Sequence, residues 1–151
     1  MRTVVFSLAI VTLTLSVPAG VLSQGTSQAG RAGTLRTMRV DYYHTGNDKE
    51  ERFSLDRIVI EPLPWPGNPS ARVDRSNSGK YFFEVADAAS GEVLYSRGFA
   101  SVYGEWETTG EAKEMNRTFS ESLRFPAIEK PAKVVLKKRD AKNAFQEIWT
   151  F

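Results

Sequence analysis

The chain has 151 residues, of which 41% are hydrophobic and none is cysteine. This size and composition suit one domain whose core forms without disulfides, and they exclude cysteine zinc sites and thiol nucleophiles. Lys and Arg exceed Asp and Glu by only 20 − 18 = 2 charges, a balance too small to indicate a basic face for nucleic acid.

Residues 1–23 have the features of a signal peptide: one arginine, then an apolar stretch too short to span a membrane comfortably. We expect cleavage after Ser23, with cleavage after Ala19 or an uncleaved anchor as the alternatives. Residues 24–34 are rich in Gly, Ser and Gln and predict a flexible lead-in, which leaves 35–151 as the folded domain. We therefore expect export to the periplasm, the cell surface or the medium, with no membrane attachment after cleavage.

Apolar and polar residues alternate along most of the remaining chain, which predicts strands. The first strand is expected near 35–44, and the clearest hairpin joins 80–86 to a return strand that begins at Val93. A change of phase at Asp56 and Arg57 predicts a β-bulge. Later strands are expected around 119–125, 134–138 and 145–151. About seven short strands predict an all-β antiparallel β-sandwich, immunoglobulin-like, with a barrel as the alternative.

Two segments are expected to differ from the simple strand pattern. Residues 62–69 hold four of the seven prolines and predict a stiff, extended surface loop. Residues 101–107 predict a further short strand. Thr108 and Glu111 match a capping box, which predicts one short helix near 109–115.

Few residues have the chemistry of a catalytic or metal site. His44 is the only histidine, whereas zinc enzymes use several His or carboxylate ligands. No Gly-x-Ser-x-Gly motif is present to support a serine nucleophile, so we expect His44 simply to end a strand beside a turn. The stretch 74–79 resembles a calcium loop only superficially, because its twelfth position is Val85. The basic run 137–139 is interpreted as a solvated strand end, with Lys138 on the opposite face from its neighbours.

Two groups of residues remain as candidates for contacts with a ligand. Glu105 and Glu107 flank Trp106, and in a strand both carboxylates would lie on one face, about 6.5–7 Å apart. That spacing permits glycosidase chemistry, but a solvated strand face is the preferred interpretation. Exposed aromatic residues stack on sugars or fill pockets of a partner, and the alternative is that each packs on its own domain. The candidate contacts with a partner or substrate are Pro64, Trp65, Pro66, Tyr103, Glu105, Trp106 and Glu107.

Long stretches of the sequence resemble the N-terminal domain of the IgA-peptidase-type zinc metallopeptidases (peptidase family M-sixty-four). The most specific parts are the Pro-Trp-Pro-Gly loop and the Tyr-Gly-Glu-Trp-Glu block. The stretches that carry the resemblance are MRVDYYHTGND (38–48), FSLDRIVIEPLPWPGNP (53–69), GKYFFEV (79–85), VLYSRGFASVYGEWETT (93–109), NRTFSESLRFP (116–126) and VVLKKRDAKNAFQEIW (134–149).

The resemblance implies a non-catalytic β-sandwich domain that precedes a separate zinc-dependent catalytic domain. No position matches the zinc motif, so zinc is expected only in a downstream domain and no cofactor is expected in this chain. The implied role is to position a protein substrate or to support the catalytic domain through a face built from the Pro-Trp-Pro loop and the Tyr-Gly-Glu-Trp-Glu block. The alternatives are a stand-alone exported module that binds carbohydrate or protein, and a structural spacer.

Overall fold

The computed structural model describes residues 35–151, so the predicted signal peptide and the whole predicted lead-in lie outside the described residues. Within this range the chain forms seven strands, one short α-helix and one 3₁₀ turn. In chain order these are β1 (Arg36–Gly46), β2 (Glu51–Pro64), β3 (Tyr81–Asp87), β4 (Val93–Phe99), α1 (Val102–Trp106), the 3₁₀ turn Glu111–Lys113, β5 (Arg117–Pro126), β6 (Ala132–Arg139) and β7 (Phe145–Thr150). No helix among these residues is long and apolar enough to cross a bilayer.

The strands form two antiparallel sheets, of order β2-β1-β5 and β4-β3-β6-β7. This arrangement confirms the predicted all-β sandwich. The four-stranded sheet has the order of the C′-C-F-G sheet of immunoglobulin domains. The three-stranded sheet differs, because β1 and not β2 is its central strand.

Alternate residues of β1, β3, β4, β5 and β6 fill the space between the sheets. The alternation predicted for β1, β3 and β5 is confirmed, since a side chain every second residue points inward. The buried core consists of Val40, Tyr42, Phe83, Val85, Tyr95, Leu123, Phe125, Val134 and Leu136. Burial of these side chains is the main favourable contribution to folding, at about 25 cal/mol per Å² of apolar surface.

The strand pairings of the described residues contain four register shifts, and two of them bear on the sequence predictions. In β2, Asp56 is the extra residue, because Asp41 pairs with Arg57 while the next residue pairs with Leu55; this confirms the predicted bulge. In β7, a register shift leaves Ile148 as an extra residue. The strict alternation predicted for 145–151 is therefore wrong.

The predicted surface loop 62–69 begins inside a strand. β2 continues to Pro64, which pairs with Arg36. Proline is tolerated there because β2 is an edge strand and needs hydrogen-bond donors on one side only.

The prediction of a strand over 101–107 is wrong, because these residues contain helix α1. The hydroxyl of Ser101 caps the helix by accepting a hydrogen bond from the Gly104 N–H at 2.8 Å. The predicted capping box does not form: the Thr108 hydroxyl donates to the Glu105 carbonyl at 2.8 Å. The helix expected near 109–115 is only the 3₁₀ turn Glu111–Lys113.

Candidate functional site

Tyr103 and Trp106 lie inside the domain. Their spacing of three residues places them on one face of α1, where they pack with Ala112 and Phe119 in a second, small core. Tyr103 is 0% and Trp106 is 8% exposed. Both aromatic rings therefore pack on their own domain, which was the alternative interpretation from the sequence.

The helix also separates the two carboxylates predicted to share a strand face. Glu105 is exposed, whereas Glu107 is nearly buried and binds Lys80 at 2.6 Å and Lys138 at 2.9 Å. The geometry proposed for glycosidase chemistry is therefore absent at this pair. Lys138 is also bound to Glu51 at 2.8 Å, so it is not part of a solvated strand end, although it does lie on the opposite face from Lys137 as predicted.

His44 is the centre of a buried polar cluster. Its side chain is 1% exposed, and its ring stacks on Tyr103 with centroids 3.7 Å apart. Nε2 lies 2.9 Å from Glu51 and Nδ1 lies 3.2 Å from Glu121. Since carboxylates only accept hydrogen bonds, both ring nitrogens carry a proton and His44 is a cation. The sequence placed His44 near a strand end but missed this burial.

The pKa values of the cluster reflect competition between burial and hydrogen bonding. Burial by itself lowers the pKa of His44, but the hydrogen bonds to Glu121 and Glu51 outweigh it and the pKa is raised above 6.5. Burial raises the pKa of Glu51, yet the bonds from His44 and Lys138 lower it to about 2. The pKa of Glu121 is lowered for the same reason, mainly by His44 against the effect of burial.

Tyrosine hydroxyls complete the hydrogen bonding of the two glutamates. Tyr42 donates to Glu121 at 2.9 Å, and Tyr81 donates to Glu51 at 3.0 Å. Burial raises the pKa of both tyrosines, so each stays a donor. The hydrogen bonds of His44 and of the two tyrosine hydroxyls are thus all made to carboxylates within the cluster.

This cluster does not fit a zinc ion. Zinc binds the lone pair of a neutral imidazole nitrogen, and both nitrogens of His44 donate to carboxylates. Over residues 35–151, no group of three or more His, Asp or Glu side chains is arranged to hold a metal.

A groove lies under Trp65 at the other end of β1. The backbone N–H of Trp65 donates to the Leu35 carbonyl at 2.7 Å. The indole ring packs edge-on against the Tyr95 ring, with ring centroids 5.7 Å apart. The ring also covers Gly67, where a Cβ atom would lie 2.1 Å from the indole. The groove encloses about 510 Å³ and is lined by Trp65, Pro66, Gly67, Phe83, Tyr95, Arg97, Phe99, Ala100, Ser122, Leu123 and Arg124.

The structure does not assemble the predicted docking face as one surface. The backbone N–H of Trp65 is bound to Leu35, the residue that precedes β1. The Tyr103 hydroxyl donates to the carbonyl of Asn47, the residue that follows β1, at 2.7 Å. The 11 residues of β1 separate these hydrogen bonds. Pro64 and Pro66 are exposed and Trp65 is half-buried, so these three keep accessible surface, unlike Tyr103 and Trp106.

The sequence of residues 31–150 matches the family described as Peptidase M64 N-terminus. The chain belongs to this family. The resemblance identified from the six stretches is thereby confirmed, and it associates the chain with M64 peptidases. No curated protein matches the chain.

Arg97 of this M64 N-terminal domain lines the groove, although the sequence did not indicate it as a site residue. The sequence does contain an indication of this position. Arg97 lies two residues from both Tyr95 and Phe99, so all three side chains are on the face of β4 that points to the core. An arginine on the apolar phase of a strand is unusual. Phase alone does not show that Arg97 lies in an open groove, because β5 borders the groove only in the folded sandwich.

Proposed function

We propose that this chain is a non-catalytic accessory domain of an exported zinc metallopeptidase, which positions a polypeptide substrate for a downstream catalytic domain or supports that domain. Membership of the Peptidase M64 N-terminus family supports the peptidase context. In this proposal zinc belongs to the downstream domain, and residues 1–23 direct export.

The use of the polar residues supports a non-catalytic role. His44, Glu51, Glu121 and Lys138 are all bound to one another or to buried tyrosines. A general acid or base needs a proton that it exchanges with substrate. These groups instead satisfy each other between the two sheets.

The observation that carries the positioning role is the open groove under Trp65. Aromatic residues form its walls, and the stiff segment around Pro64 and Pro66 holds the indole at its mouth. Half-buried aromatic side chains with restricted freedom are typical anchors for a protein partner, because little entropy is lost on binding.

The first test is to sequence the gene beyond codon 151. The proposal expects an in-frame catalytic domain with a His-Glu-x-x-His motif, and a stop codon directly after Phe151 would refute it.

The second test measures kinetics of the longer peptidase with Trp65→Ala. We expect KM for a protein substrate to rise about tenfold, while kcat for a short peptide stays the same. Trp65 packs on Tyr95, so a lower melting temperature alone is not informative. Gly67→Ala displaces the indole without deleting it and should raise KM in the same direction. Gly110→Ala is the matched control, since its Cβ meets no atom within 4 Å. An unchanged KM in both groove variants would refute substrate positioning.

A second candidate function is carbohydrate or protein binding by the domain alone. It is favoured by the half-buried indole of Trp65 beside the polar side chains of Arg97 and Ser122, since sugars stack on aromatic rings and hydrogen bond at their edges. A glycan array probed with the chain should then show binding that Trp65→Ala abolishes. No binding across the array would exclude the carbohydrate form.

A further inference from the structure

The groove under Trp65 opens between two edge strands, one from each sheet. β5 pairs only with β1 among the described residues, so the backbone groups along its outer edge have no strand partner. Helix α1 packs against the first half of β5, where Glu121 accepts the Tyr103 N–H at 3.1 Å. Ser122, Leu123 and Arg124 lie beyond that contact and line the groove. An added strand that pairs with these three residues would span about 10 Å.

Arg97 supplies a positive charge at this groove. It pairs across the sheet with Phe83 and therefore lies on the inward face of β4. Its side chain makes no ion pair or hydrogen bond with residues 35–151, and the residue is exposed. The nearby Asp74 carboxylate accepts the N–H groups of Ser76 at 2.7 Å and Gly98 at 2.9 Å. Its charge attracts Arg97 from a distance, but no hydrogen bond or ion pair joins the two side chains.

The second arginine of the groove is already paired. Arg124 binds Glu61 at 2.9 Å on the outer face of the three-stranded sheet. Of the two groove arginines, Arg97 is thus the one whose guanidinium N–H groups are not bound to a carboxylate of residues 35–151 and can donate to a ligand.

Inward-pointing charges on edge strands often serve to block unwanted strand pairing. That explanation does not suit Arg97, because the edge of β4 is already covered. The Ser96 N–H donates to the Arg72 carbonyl at 2.9 Å, and the Gly98 N–H donates to Asp74. The open edge belongs to β5, across the groove.

We propose that the groove binds an extended polypeptide segment that adds as a strand along residues 122–124 of β5. One acidic side chain of this segment pairs with Arg97, and an apolar side chain next to it packs on Trp65 and Phe99. Backbone hydrogen bonds supply affinity and the side-chain contacts supply selectivity, as in other cases of strand addition. This inference rests on the proposed positioning role and adds the substrate class: extended segments with a carboxylate.

The test uses fluorescein-labelled ten-residue peptides rich in Val and Thr, with Glu, Gln or Lys at the centre, and measures binding to the whole chain by fluorescence anisotropy. The Glu peptide should bind about tenfold more tightly than the Gln peptide, because a charge-assisted pair forms only with Glu. Arg97→Glu should reverse the preference toward the Lys peptide. Lys142→Glu changes the net charge equally at an exposed turn and should leave the preference unchanged.

Strand addition itself is tested by methylating backbone nitrogens of the Glu peptide. Methyl groups on alternate residues that face β5 should weaken binding about tenfold, whereas methyl groups on the intervening residues should have little effect. Equal effects of the two methylation patterns would overturn strand addition.

Two further results would overturn the inference while leaving the positioning role open to its own test. One is that no peptide binds at all, and the other is that the Arg97→Glu and Lys142→Glu variants behave alike. Failure of the positioning role is recognised separately, by an unchanged KM in the Trp65→Ala peptidase.

Discussion

Replacement of His44 by phenylalanine tests the buried cluster most directly. The phenyl ring keeps the aromatic packing against Phe53 and Tyr103, whose ring centroids lie 4.3 and 3.7 Å from that of His44. It removes both hydrogen-bond donors and the positive charge. Glu51 and Glu121 then lie in the interior without the cation between them.

The expected loss of stability depends on the hydrogen bonds that Glu51 and Glu121 retain in the variant. Removal of one partner of a buried ion pair costs about 3–5 kcal/mol. Glu121 retains the Tyr42 hydroxyl, and Glu51 retains Tyr81 and Lys138, so we expect the lower end, about 3 kcal/mol. Typical domains have only about 5–15 kcal/mol of stability. The variant should therefore fold but melt roughly 10–20 °C lower.

The pH dependence provides an independent check of the charge. The pKa of His44 is raised above 6.5 in the folded state, so its contribution is complete below pH 6.5 and is lost as the pH rises through the folded value. The pKa of Glu51 is lowered from 4.5 to about 2, so its contribution is present above pH 4.5 and is lost as the pH falls toward 2. The advantage of the wild type over His44→Phe should be greatest between pH 4.5 and 6.5.

Urea unfolding followed by tryptophan fluorescence at several pH values measures this difference. The double variant His44→Phe with Glu121→Gln should recover about 1 kcal/mol, because the amide removes a buried unpaired charge. A loss below about 1 kcal/mol for His44→Phe at pH 6 would refute the reasoning. So would a difference that stays constant from pH 5 to strongly alkaline solution.

Three further perturbations test the packing and electrostatics of the sandwich. Leu136→Ala should lower the free energy of unfolding in urea by about 2–5 kcal/mol, since Leu136 is 1% exposed in the core; a change within 0.5 kcal/mol would contradict that placement. Gly98→Ala should lower the free energy of unfolding in urea by about 1–3 kcal/mol, because its Cβ would lie 2.0 Å from the Ser78 carbonyl oxygen. Gly110→Ala should be neutral or stabilising in the same measurement, since its Cβ meets no atom within 4 Å. For Asp41, hydrogen bonds from Arg39 lower the pKa from 3.8 to about 2, so the stability advantage of wild type over Asp41→Asn should persist at pH 5 and vanish as the pH falls through that interval. An advantage that survives at pH 1 would show that the charge of Asp41 is not its source.

The main strands and one bulge were predictable because they are local properties of the sequence. Side chains alternate between the two faces of any strand. The alternation therefore identifies Val40 and Tyr42 as core residues whatever strand lies beside them. The phase change at Asp56 likewise requires an extra residue wherever both halves of β2 face the same core. The short block 101–107 was not predictable in this way, since its Tyr and Trp are three residues apart within an otherwise ambiguous stretch. Its helix follows from the Ser101 cap and from burial of the two rings against His44 and Phe119.

The polar cluster and the groove depend on which strands become neighbours. His44, Glu51 and Glu121 come from three different strands, and Lys138 reaches them from the other sheet. The sequence by itself determined the sandwich class, the alternation of its strands and the peptidase family. Only the tertiary structure decided that the single histidine is a buried cation and that Arg97 faces the open edge of β5. The physical reason is that alternation is a property of each strand alone, whereas a charge acquires its partner, its burial and its pKa from segments distant in the chain.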